Sequence, residues 1–304
     1  MKNLKYIFMV LLGGTLYGTM SSFVKLSYSY GFNAAELSFW QAFLAALFLG
    51  IFAFFSRKTV KGKLTHKDFL PLILTGCAIG LTNFLYYESV RYIPASLAIV
   101  ILMQFTWLSL LLEWILFTRK SSRMELLTVF FILIGTVLAG GVFEMKEWTF
   151  SFRGTMLALS SSLTYAIYII ANGRIGKGVR WQSKSMMIMA GSSSCIFAIN
   201  SGVIICGDYL SGVFFLWAIF LAVIGTTIPT ALFAAGISKI GAGISSILMT
   251  VELPVAILCA RIVLKEHISP LQSAGIVIML ASISAMNYYK VIKSKKMRTD
   301  SQIR

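Results

Sequence analysis

Apolar runs of about 20 residues, the length needed to cross a lipid bilayer as a helix, recur from one end of the chain to the other. Ten are read at 6–24, 35–55, 69–87, 95–117, 125–143, 154–172, 185–205, 213–235, 243–264 and 270–290. Barrel strands would alternate apolar and polar residues over about ten positions. These runs do not alternate, so the expected fold is an all-α integral membrane protein with ten transmembrane helices. Only 12% of the 304 residues are charged, about half the share of an average soluble domain. The seventh run is diluted by Ser192, Ser193, Ser194 and Asn200; if it does not span, the parity of the topology changes. The opening "MKNLKYIFMVLLGGTLYG" imitates a signal peptide, but no A-x-A-like site closes it, and an uncleaved first helix is expected.

The net charge of +16 invites a nucleic-acid reading, but its distribution points to topology instead. Numbered by the spans they join, alternate loops and the two termini hold 21 of the 27 Lys and Arg residues. They include the run from Arg57 to Lys67, the group Arg119, Lys120 and Arg123, the group Arg174, Lys177, Arg180 and Lys184, and the tail from Lys290 onward. The other side holds Lys25, Arg91, Lys146, Arg153, Arg261 and Lys265. Cytoplasmic loops carry the Lys/Arg excess, so both termini are expected in the cytoplasm of a cell-membrane protein, whose partner is the lipid bilayer and not nucleic acid. The basic tail would also attract anionic headgroups.

Sliding the chain by 147 residues lays "FLYYESVRYIPASLAIVILMQFTWLSLLLEWILF" (84–117) on "ALFAAGISKIGAGISSILMTVELPVAILCARIVL" (231–264). Each copy has a span, a short polar link, a small-residue restart and a long span. Each half, 1–147 and 148–304, then holds five spans. Five is odd, so the second copy sits inverted in the membrane. Two inverted five-helix repeats holding a small molecule at the midplane are a transporter architecture.

Glu252 lies near the middle of the ninth span, where a charge costs roughly 2.5–3.5 kcal/mol on insertion scales. It reads either as a site for a substrate amine or a proton, or as a protonated carboxyl hydrogen-bonded to a neighbouring helix. Pro254, two residues on, removes the helical partner of the Thr250 carbonyl. The pair suggests a broken, gating helix that lines a cavity; the bland alternative is a tolerated kink. Trp107 stands where Pro254 stands in the other copy, which implies a straighter fourth span. Gln104 lies at similar depth and falls on Val251, while Asn83 falls on Thr230. These three polar residues read equally as cavity donors and acceptors or as interhelical glue. Tyr17, Tyr86, Tyr165, Tyr168 and Trp107 could stack on a substrate or simply pack. Glu113 and Arg261 fall near opposite faces and should not pair; each is expected to snorkel or cap a cavity mouth. The G-x-x-x-G pairs Gly14/Gly18 and Gly76/Gly80 read as close helix contacts.

Neither the four cysteines nor the two histidines cluster, so no metal or cofactor is expected. No G-x-S-x-G, H-E-x-x-H or P-loop occurs, so the chain does not read as an enzyme. Transport without ATP or an ATPase subunit follows.

The segment "SKIGAGISSILMTVELPVAILCARIVLKEHISPLQSAGIVI", with its "ELP" turn, Lys265–Glu266 and Gly275, resembles the EamA-like family of the drug/metabolite transporter superfamily. The first half is similar more loosely, departing at Trp107, at Arg119 (opposite Glu266) and at Gln41, where the family often has arginine. The resemblance implies ten helices in two repeats and the export of amino acids or other small metabolites by alternating access. Efflux of hydrophobic cations stays open as an alternative. So does a membrane accessory or sensor protein that transports nothing.

Overall fold

The structure is a computed structural model. It describes residues 2–55, 64, 66–93, 95–141, 151–207, 212–263, 265 and 268–302. Outside these residues lie the 147/148 repeat boundary, Glu266, Lys146 and the basic run from Arg57 to Lys63; the side chains of the tail from Lys290 are likewise not described.

The described residues form helices throughout and no strand. In chain order these are α1 (Lys2–Tyr28), α2 (Ala34–Phe55), α3 (His66–Ser89), α4 (Ala95–Leu102), α5 (Phe105–Phe117), α6 (Arg123–Ala139), α7 (Phe152–Arg174) and α8 (Trp181–Cys206). Then follow α9 (Gly212–Phe220), α10 (Ile228–Ile240), α11 (Ala242–Met249), α12 (Glu252–Val263) and α13 (Pro270–Gln302). A π-helical stretch, Leu221–Thr227, joins α9 to α10. Taking α4 with α5, α9 with α10 and α11 with α12 gives ten rods. Eight are long and apolar enough to cross a membrane; the other two positions are filled by α6 and the apolar stretch Pro270–Met286 of α13. Those two pack together with Gly135 against the Gly275 carbonyl. Large apolar side chains such as Phe55 and Ile262 point outward, as lipid requires.

The seventh span is one helix, α8, bent at Asn200. Ser192 and Ser193 are buried packing residues of this helix. The Ser192 backbone sits against Gly80 of α3, and Gly76 meets the Ile188 carbonyl. Small side chains on both faces let these backbones touch.

The packing pattern survives exchange of the two halves. Helix α1 lies on α10 and on the pair α11/α12, while α7 lies on α3 and on the pair α4/α5. Helices α2 and α8 pack on each other, as do α6 and α13. One contact fixes the register. Gly18 meets the Glu252 backbone, and 147 residues away Tyr165 meets Phe105 with ring centroids 4.6 Å apart.

Both repeats break their long span, which corrects the expectation that the first-half helix, lacking the proline, is the straighter of the two. Between α4 and α5 the Gln104 N–H donates to the Ile101 carbonyl at 3.1 Å and the Thr106 N–H to Met103 at 3.1 Å. Between α11 and α12 the Val251 N–H donates to Leu248 at 3.3 Å and the Leu253 N–H to Thr250 at 3.2 Å. Each is a tightened i→i+3 turn. No proline is needed for the first break. In the second, Pro254 lies past the break, in the first turn of α12, where its missing N–H costs nothing. The Thr250 carbonyl is therefore not freed; it accepts from Leu253.

Candidate functional site

A cavity of about 40 Å³ lies where the two breaks face α1, α3 and α7, with Tyr17, Asn83, Tyr86, Tyr87, Tyr165 and Glu252 in its wall. Each wall residue is placed by a local feature. The close approach at Gly18 brings the start of α12, and with it Glu252, against α1. A Cβ at Gly18 would lie 2.5 Å from the Glu252 carbonyl oxygen. Tyr165 reaches across from α7 and donates its hydroxyl to Glu252 Oε1 at 2.5 Å. Tyr17 donates its hydroxyl to Asn83 Oδ1. The Tyr17 and Tyr165 rings stack at 6.3 Å.

Glu252 is 3% exposed. Among the described residues no Lys or Arg lies within ion-pair distance of it. The site is thus a buried carboxyl, one amide and four phenols, a wall suited to an ammonium group by charge and by the faces of the rings. A free volume of 40 Å³ holds about two or three waters, so the bundle here is contracted around the site. A smaller gap of about 20 Å³ shares Ser21, Tyr86 and Tyr87 and continues past Lys25, Tyr28 and Val90. It leads between α1 and α3 toward the end of the bundle opposite the chain termini.

The structure thus brings Tyr17, Asn83, Tyr86, Tyr165 and Glu252 to one cavity. Tyr168 stands behind it, stacked on Tyr165 at 6.1 Å. Gln104 and Trp107 lie elsewhere. Gln104 lies in the first break and Trp107 in the first turn of α5, where Trp107 Nε1 donates to Gln104 Oε1 at 2.8 Å and Trp107 is 39% exposed. The break rotates these two away from the wall and leaves Ile99 and Leu102 facing it. Thr230 is buried against Met189, on the side of α10 that meets α8. Tyr87 joins the wall without having been singled out. It follows Tyr86 directly, and with Thr82 and Asn83 one turn earlier the pair makes a single face of α3 that lines the cavity.

At the other end of the bundle the gap is replaced by a polar seal. Glu113, 4% exposed, does not snorkel. Its carboxylate accepts from Arg119 at 2.5 Å and from Arg174 at 3.4 Å. Arg119 also reaches Glu125 at 3.5 Å. The Arg174 guanidinium lies 3.4 Å from the Phe117 ring centroid. Lys184, expected in a loop, is buried inside α8 and donates to the Asn172 carbonyl and to Ser238 Oγ. Lys184 reads as a loop residue because it lies in the first turn of α8, where a cation carries the same sequence signature as one in the preceding loop. Among the described residues no three His, Cys, Asp or Glu side chains meet in metal-ligating geometry.

The sequence profile of the EamA-like transporter family matches residues 4–141 and again 152–288. The chain is 23% identical over 303 residues to the uncharacterized transporter YcbK of Bacillus subtilis (strain 168), covering 94% of each. It is 25% identical over 239 residues to the uncharacterized transporter sll1319 of Synechocystis sp., covering 74% of this chain and 69% of that one. A crystal structure of a protein at 14% identity superposes with a TM-score of 0.72 over 94% of this chain and 96% of that one.

Proposed function

The chain belongs to the EamA-like transporter family of the drug/metabolite transporter superfamily, and on that premise we propose that it exports a small amine-bearing metabolite, such as an amino acid. Transport is secondary, by alternating access, across the cell membrane with both termini in the cytoplasm. The observation that carries this reading is Glu252, a carboxyl buried in the cavity wall with no cationic partner among the described residues. An unpaired buried carboxylate is costly, and an ammonium guest offsets that cost. The binding wall consists of Glu252, Asn83, Tyr17, Tyr86 and Tyr165, with Tyr168 supporting it from behind. Gln104, Trp107 and Thr230 act through packing around the two breaks rather than by touching substrate.

The gap between α1 and α3 supports an outward-leaning state, sealed on the cytoplasmic side by Glu113, Arg119 and Arg174. The test is uptake into proteoliposomes of radiolabelled amino acids, of their N-acetyl derivatives and of tetraphenylphosphonium. Amino acids should move, N-acetyl forms should not, and Glu252→Gln should lose at least about tenfold in affinity, the scale of a charge-assisted hydrogen bond. Transport of tetraphenylphosphonium alone would favour the efflux of hydrophobic cations, for which the phenol wall is also suited. Movement of N-acetyl forms at the same rate as the free amines would remove the amine reading.

A further inference from the structure

We propose that Lys184, with Asn172 and Ser238 beside it, is a carboxylate-binding subsite of the vestibule that opens at the end of the bundle carrying both termini. The proposal rests on the transport reading and adds a second recognition point for the substrate.

The location comes from the repeat. The gap at the opposite end runs along Lys25, Tyr28, Tyr86 and Val90. Their counterparts 147 residues on are Asn172 on α7, Ile175 just past its end, and Phe233 and Ile237 on α10. There the structure is shut. Ile237 is fully buried, and a Cβ at Gly173 would lie 3.5 Å from both Ile237 and the Ala242 nitrogen. In an inverted repeat the two halves exchange conformations as access alternates. When the α1–α3 gap closes, the α7–α10 seam opens, and Asn172 becomes vestibule wall.

Lys184 reaches that seam from α8. It is 1% exposed, and its ammonium donates only to neutral oxygens, the Asn172 carbonyl and Ser238 Oγ, the latter at 2.7 Å. No carboxylate of the described residues lies within ion-pair distance. Asn172 donates Nδ2 to the Tyr168 hydroxyl at 3.1 Å, while its Oδ1 is buried without a partner. A buried ammonium normally has an anionic partner. Here the described residues supply none, and the cluster stays incompletely satisfied in the closed state. Opening the seam exposes the ammonium to a small organic carboxylate. Asn172 and Tyr168 then continue the polar face of α7 up to Tyr165 and Glu252. A zwitterion would meet its carboxylate partner first and its ammonium partner next.

The test does not depend on the substrate. With the four native cysteines replaced, Ala171→Cys puts a thiol beside Asn172, at the counterpart of the gap-lining Val24. Its reaction rates are measured with a sulfonate-bearing and a trimethylammonium-bearing methanethiosulfonate, added from the side that holds the termini. With Lys184 present the anionic reagent should be favoured. Lys184→Gln should lower the anion-to-cation rate ratio at least about fivefold, and Lys184→Arg should preserve it. An unchanged ratio in Lys184→Gln overturns the proposal, as does an Ala171→Cys thiol that reacts with neither reagent. Failure of the amine reading at Glu252 would leave this ratio untouched, so the two ideas fall separately.

Discussion

Tyr165 is the residue on which the cavity turns. Its hydroxyl is bonded to Glu252 at 2.5 Å, and its ring is packed between Phe105, Tyr17 and Tyr168. The two functions separate by substitution. Tyr165→Phe keeps the ring and removes one donor to a buried carboxyl, which costs about 1–3 kcal/mol. We expect lower stability in denaturant unfolding in mixed micelles. Paired with Glu252→Gln, the loss should be less than additive by about 1–2 kcal/mol. Strict additivity would mean that the short contact does not persist in the folded protein. Glu252→Gln also removes the one titratable carboxyl of the cavity. If that group exchanges a proton for substrate, the variant keeps binding but loses the pH dependence of transport; if it reads an amine, binding itself falls.

At the level of the element, the two broken spans set the geometry. Thr250 Oγ bonds the Ile247 carbonyl at 2.7 Å and Thr106 Oγ bonds Met103 at 2.9 Å, so the hydroxyls satisfy carbonyls that water cannot reach. Pro254 sits past the break, in the first turn of α12, and has no N–H to offer the Thr250 carbonyl, which accepts from Leu253 instead. Pro254→Ala restores that donor and favours one continuous helix. Turnover should slow several-fold with substrate affinity kept, as read by steady-state transport kinetics; a wild-type rate would reduce the proline to a first-turn residue. Gly18 holds α12 at its distance from α1. Gly18→Ala places a methyl 2.5 Å from the Glu252 carbonyl oxygen, and overpacking of this kind costs about 1–3 kcal/mol. A lower Tm and weaker binding should appear together, since the same contact that packs the helices positions Glu252.

The whole molecule is symmetric in architecture and asymmetric in its locks. Glu113 of the first repeat grips Arg174 of the second, but their counterparts 147 residues away are Ala260 and Ser27, which cannot pair. This ion pair therefore has no repeat-related twin, and it favours closure at the end where it sits. Glu113→Gln should loosen that end. Spin labels at Lys120→Cys and Lys177→Cys should show a longer and broader distance distribution, and an unchanged one would remove the seal from the mechanism. Sidedness has its own test. In intact cells, cysteines at those two positions should resist an impermeant thiol reagent, whereas cysteines at Tyr30 and in the segment 264–269 should react. Labelling of 264–269 from the cytoplasmic side alone would sink the inverted topology.

Solvent and length made the rods legible in the sequence. An apolar run of about 20 residues has few alternatives to a membrane helix, and the 147-residue register relates contacts as distant as Gly18–Glu252 and Tyr165–Phe105. Glu252 stood out for the same reason, because a carboxylate in an apolar run is conspicuous. What tertiary structure decided is which polar residues meet. Gln104 and Glu252 lie at similar depth in related spans, yet the break at Met103–Gln104 turns one toward Trp107 while the other faces the cavity. Lys184 and Arg174 read as loop cations by position, but neighbouring helices bury the first and pair the second. Depth along a helix is a property of the local sequence; the direction a side chain faces depends on how the helix is broken and on what packs against it.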